Sequence, residues 1–215
     1  MNKLLFFYGG LLLLGGLMAC SDSVEPAVGR VYNADRSFTK EINPERQPLG
    51  MVFAMEVGPD SAYAYVVSLT ECELPLSSDK GVLSGDTSTL CWNGLANTSL
   101  WRDSLSSSPV LSLLDTYGDG WFVPSIGEWR LLRDSFEVTN DRLARLSVSE
   151  PLRQGQYWCS TAHAEPHYDY CGVAYDVYSN TYGLFDRGDS CAVRPMRRVL
   201  LKGSWLKKWI ENKTF

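Results

Sequence analysis

The stretch YGDGWFVPSIGEWRLL, residues 117–132, decides how the chain is read. Gly118 and Gly120 on either side of Asp119 mark a tight turn, since glycine and aspartate suit the backbone angles a turn requires. The apolar run after it is a strand, which Pro124 stops. Ser125 followed three residues on by Glu128 spells a capping box, in which hydroxyl and carboxylate each satisfy a backbone N–H left unpaired at a helix start. Trp129, Leu132 and Phe136 then give that helix one apolar stripe.

Upstream, Val110, Leu113 and Leu114 share a face of a short helix expected over 109–117, and downstream NDRLARLS (140–147) reads as another. GMVFAMEV (50–57) and YAYVVSL (63–69), separated by the turn-former GPDS, are a strand pair. QYWCSTA, CGVAYDVY and CAVRPMRRV, with a turn at SNTYG, supply strands near the other end. Residues 70–100 show neither period and hold three glycines with many Ser and Thr, which predicts a long loop carrying Cys72 and Cys91. The class is α+β, with antiparallel strands at both ends of the domain, two or three short helices and long loops.

The amino terminus, MNKLLFFYGGLLLLGGLMAC, is an export signal: a lysine, an apolar run too short to span a bilayer comfortably, then small residues before a cysteine. LMAC resembles the lipobox of bacterial lipoproteins, which implies cleavage before Cys20 and acylation of that residue. Residues 1–19 are then the signal peptide, and 20–48, polar with Pro26, Pro44 and Pro48, a lipidated start and flexible tether. The domain proper is expected over 49–199. The tail, 200–215, sets Trp205 and Trp209 on one helical face with lysines elsewhere, a pattern that touches lipid headgroups or packs on its own domain. The acylated terminus makes a membrane one partner, on a bacterial cell envelope and on its outer membrane in particular. A net charge of −5 gives no electrostatic case for nucleic acid.

The order WNGLANT, GDGWFVPSIGEWRLL, QYWCSTA, AYDVY and AVRPMRRV resembles a family of bacterial exported domains of unknown function with a C-type-lectin-like fold, found in surface lipoproteins and adhesin ends. The same elements are similar to those of the formylglycine-generating enzymes. The paired-cysteine site of those enzymes has no counterpart that can be placed here. Calcium-dependent lectins hold sugar through Glu-Pro-Asn or Gln-Pro-Asp, whereas this chain has Glu165-Pro166-His167, and an imidazole is a poor calcium ligand.

CSTAHAEPHYDYC (159–171) holds both histidines of the chain. Treated as a hairpin closed at residues 164–166, it sets Cys159 opposite Cys171 and His163 opposite His167. A strand rise of about 3.3 Å per residue separates the two pairs by roughly 13 Å, too far to share one tetrahedral zinc. Directly opposed residues lie within disulfide range, and export permits oxidation. The expected bridges are Cys72–Cys91 and Cys159–Cys171 with Cys191 free; Cys171–Cys191 and Cys159–Cys191 are alternatives. Arg187-Gly188-Asp189 spells an integrin-binding tripeptide but reads first as a turn, and Asp115 with Asp119 reads as turn chemistry before a cation site.

No phosphate loop, nucleophile elbow or paired acids stand out, so neither cofactor nor metal is expected. The leading expectation is a non-catalytic binding module for a glycan, a matrix protein or a partner subunit, with His163, His167, Tyr168, Tyr170 and Asp186 as the contact surface. The others are an enzyme with Cys159 or Cys191 as a reactive thiol, aided by His163 or Arg194, and a structural subunit of a surface assembly.

Overall fold

Helix α3 (Ile126–Asp134) starts where the capping box puts it: Ser125 N–H donates to the Glu128 carboxylate at 2.7 Å and Glu128 N–H donates to Ser125 Oγ at 3.5 Å. The computed structural model describes residues 23–58, 61–90 and 92–201. Trp129 and Leu132 are fully buried, and Phe136, half-buried, packs against the same core but lies beyond the end of this helix. Ser135 interrupts the helix, its hydroxyl donating to the carbonyls of Phe53 and Leu132, and Phe136 opens a second helix, α4 (Phe136–Arg145). The expected helix at 140–147 thus starts earlier, at Phe136.

Helix α2 (Pro109–Tyr117) has the expected bounds. Ser108 Oγ accepts from Leu111 N–H at 3.2 Å, proline takes the first position where its missing N–H costs nothing, and Gly118 at φ +84 ends the helix. The expected long loop at 70–100 is corrected twice. It contains a strand, β5 (Cys72–Pro75), and a helix, α1 (Gly94–Ser104), so the described residues hold four α-helices rather than two or three. Gly94, Asn97, Thr98 and Trp101 form the buried face of α1 at helical spacing, while Leu95 and Leu100 face out. The helix docks through small and polar residues, so apolar periodicity could not reveal it.

Two sheets carry the helices. The first has the order β2 (Phe38–Thr39), β1 (Val31–Asn33), β3 (Pro48–Val57), β4 (Ala62–Ser68), β11 (Met196–Leu201), β6 (Trp121–Phe122), antiparallel throughout. The second has the order β5, β10 (Ser190–Val193), β7 (Tyr157–Cys159), β8 (Cys171–Asp176), β9 (Thr181–Asp186); its one parallel contact joins β10 to β7. CAVRPMRRV is therefore two strands in two sheets, because Arg194-Pro195 breaks the ladder.

The segment expected as a flexible tether is a correction as well. Val31, Tyr32 and Asn33 are buried, β1 pairs with β3, and Val24 N–H bonds Phe38 C=O. The apolar pairs of this segment are too short to show a period, yet they complete the sheet. The signal peptide, Cys20 and the tail beyond Leu201 lie outside the described residues.

The core has two compartments. Met51, Phe53, Tyr65, Val67, Tyr157 and Tyr175 pack with Trp129, Leu132 and Leu143 of α3 and α4. Val52, Ala64, Val66, Trp158 and Ala174 pack with Trp101, Val110 and Leu114 of α1 and α2. Alternate residues of the same strands enter alternate compartments, so β3, β4, β7 and β8 are covered on both faces. That explains why GMVFAMEV and YAYVVSL read as nearly unbroken apolar runs.

Candidate functional site

The connection from β7 to β8 carries four of the expected contact residues and closes on a 3₁₀ turn at Pro166–Tyr168. His167, Tyr168 and Tyr170 are exposed, each tyrosine at 44%, with ring centroids 6.4 Å apart. Asp186 joins them because it opposes Cys171, the residue after Tyr170, across the β8–β9 ladder. The arrangement is braced from behind. Arg187 N–H donates to Tyr170 C=O at 3.0 Å, and its buried guanidinium donates to Gly81 C=O, whose own N–H bonds Asp169 C=O. Two aromatic faces, an imidazole and a carboxylate thus stand together on one end of the second sheet.

His163 does not belong to this surface. It is only partly exposed, both ring nitrogens are buried without a hydrogen-bond partner, and its neighbour Ala162 is tied by N–H to Asp86 C=O. The symmetric hairpin expected for CSTAHAEPHYDYC is broken by the 3₁₀ turn, which sends the two histidines to different environments.

The same turn overturns the expected bridge. Cys159 lies opposite Val173, not Cys171, and Cys159, Cys171 and Cys191 are free thiols, so neither alternative pairing is formed. Cys191 faces Leu74 across β5–β10. Cys72 is exposed on β5, and its expected partner Cys91 lies outside the described residues.

Each of these three thiols is held protonated. Burial pushes Cys159 well up, with the charge of Glu128 adding to it. Burial, and then Asp189, raises Cys191 to about 11, and burial with Asp186 raises Cys171. A thiolate nucleophile needs the opposite shift. Neither expected helper supplies it. The Arg194 guanidinium is fully buried and committed to the Glu71 carboxylate at 2.9 Å and to the carbonyls of Ser68, Leu69 and Glu150. The ring of His163 makes no hydrogen bond.

Two further motifs resolve as backbone chemistry. Arg187 is 2% exposed, so the Arg-Gly-Asp tripeptide cannot present its guanidinium; Asp189 N–H bonds Asp186 C=O and Gly188 N–H bonds the Asp186 side chain, a tight turn from β9 to β10. Asp115 pairs with Arg102 at 2.6 Å, and Gly118 and Gly120 both have φ near +80, as the turn reading expects. Among the described residues no group of three or more His, Cys, Asp or Glu converges as metal ligands would.

A second polar constellation escaped the sequence. Tyr157, Glu71, Arg194, Arg153 and Glu73 form one chain of contacts beside a cleft of about 530 Å³. Its members come from distant segments, 71–73, 153–157 and 194, so no local spacing in the sequence points to it. No family model, curated protein or solved structure matches the chain.

Proposed function

We propose that this chain is a lipid-anchored envelope protein presenting a non-catalytic, lectin-like binding module to a glycan, a matrix protein or a partner subunit. The observation that carries the reading is the surface at the β7–β8 connection. Tyr168 and Tyr170 are exposed side by side, next to His167 and Asp186, on a loop braced by a buried arginine. Aromatic rings fixed in place supply contact area at small conformational cost, and nearby polar groups give direction. The chain's aromatic richness, 12% of residues, serves the same end.

The C-type-lectin-like assignment draws support from the topology. Strands from the two ends of the described chain share the first sheet, and the second sheet is inserted between them, one strand at residues 72–75 and four within 157–193. The anchor draws support from LMAC at residues 17–20. Several acyl chains on one cysteine, at roughly 0.8 kcal/mol per buried methylene, outlast a single chain on a membrane. An outer-membrane position, facing the surface or the periplasm, follows from the same reading. The protonated thiols weigh against the thiol-enzyme alternative.

Two measurements test this. Feeding cells an alkyne fatty acid labels the wild-type chain and leaves Cys20→Ser unlabelled and released from membranes. On arrays of glycans and matrix proteins the Tyr168→Ala, Tyr170→Ala double variant loses at least one ligand that the wild type retains; a variant that keeps every interaction of the wild type removes the surface from the proposal.

A further inference from the structure

Residues 153–156, strand β5 and the β9–β10 turn enclose a cleft of about 530 Å³, inside the roughly 300–1,000 Å³ typical of small-molecule sites. Its wall is fixed in place. Arg153 bonds Glu73 at 2.7 Å and Glu71 at 3.2 Å; Glu71 in turn accepts from Arg194 at 2.9 Å and from the Tyr157 hydroxyl at 2.8 Å. Arg194 and Tyr157 are fully buried, so the polar wall is bolted to the core and pays little entropy to stay in position.

The lining selects a ligand by its chemistry. The charge of Arg153 is already answered by two carboxylates, and Asp189 adds another acid, so an anionic ligand meets net repulsion. The Gln154 and Gln156 amides both donate and accept, and the carboxylates accept, which matches groups that do both, such as hydroxyls. The half-buried Phe185 ring gives one apolar wall, suited to the C–H face of a sugar ring.

We propose that this cleft is a binding subsite for neutral saccharides. It rests on the binding-module reading and narrows it from an unspecified ligand to a class. It also places the sugar off the Tyr168–Tyr170 surface, on the other side of the Asp186–Asp189 turn, so that surface is left for a protein.

The full chain, purified in detergent with its own amino terminus, is applied to arrays of neutral, sialylated and sulfated glycans, and the best neutral glycan is titrated while the melting temperature is followed. Wild type retains neutral glycans and its melting temperature rises with concentration. Asp189→Asn and Phe185→Ala weaken the interaction about tenfold or more, as loss of a charge-assisted hydrogen bond or a stacking ring should. Val138→Ser, at an exposed position of α4, binds as wild type does. Should Phe185→Ala fold poorly, Asp189→Asn, nearly isosteric and on the surface, carries the test alone. Preference for sialylated or sulfated glycans overturns the cleft assignment. So does neutral-glycan binding that survives both cleft variants, and if Tyr170→Ala abolishes it the binding-module reading stands without the cleft. Retention of no glycan also overturns the cleft, and matrix-protein retention then tests the wider reading separately.

Discussion

The Glu128 carboxylate accepts from the backbone N–H of Gly94 at 3.1 Å, tying the first turn of α3 to the first turn of α1. One side chain thereby caps its own helix and docks another. Burial raises its carboxyl to about 7, even though hydrogen bonds from Ser125 and Gly94 favour the charged form. The folded state therefore holds this proton more tightly than the unfolded chain, whose value is near 4.5. The associated stability is complete below about pH 4.5 and disappears as pH rises through 7, a span of roughly 3 kcal/mol. Asp35 and Asp79, whose carboxyls are lowered by hydrogen bonds from neighbouring serines, act in the opposite direction at acid pH. Denaturant melts of wild type and Glu128→Gln from pH 4 to 8 isolate the effect: the wild type loses stability relative to the variant as pH rises.

Gly94 permits that contact. A Cβ at this position would meet Glu128 Oε2 at 2.3 Å and the Phe122 ring at 2.7 Å. Gly94→Ala should lower stability by about 2 kcal/mol or more, since both neighbours are buried and an overpacked core gives way only by strain. Chemical denaturation of the variant measures it, and a loss below half that size shows that the two helices can part.

Arg194 and Glu71 should behave as a buried pair. Arg194→Met leaves the buried Glu71 carboxylate with Arg153 as its one cation beside the Tyr157 hydroxyl and frees the carbonyls of Ser68, Leu69 and Glu150, at a cost of about 3–5 kcal/mol. Arg194→Lys keeps the charge without the fork and recovers part of it. The comparison of the two melting curves separates charge from geometry.

The thiols give a chemical readout. Cys159, Cys171 and Cys191 are each no more than 6% exposed and held protonated. Alkylation at neutral pH, followed by peptide mass spectrometry, should modify these three slowly in the native protein and rapidly after unfolding. A thiol among them that reacts fast in the native state at pH 7 would restore the enzyme alternative.

What the sequence made legible was local. The capping box, the bounds of α2 and the doubly buried runs of β3 and β4 follow from spacings within a dozen residues. α1 was hidden because its docking face is Gly94, Asn97, Thr98 and Trp101, which carries almost no apolar signal. The opposition of Cys159 and Cys171 assumed a symmetric hairpin, and the 3₁₀ turn shifted the register. The Glu71–Arg194 pair spans 123 positions, and only the assembled fold brings its members together. At the contact surface, exposure of Tyr168 and Tyr170 could be guessed from the turn chemistry around them, whereas the inward ring of His163 could not.

The placement of β11 has a bearing on when the molecule can form at all. It is the last described strand in chain order, yet it lies between β4 and β6 inside the first sheet. Until residues 196–201 are at hand, β4 presents an open seam and β6 has nothing to pair with. A polypeptide wired this way cannot close its first sheet until residues 196–201 have been made, so its order of assembly is set from the carboxyl-terminal side of the described chain.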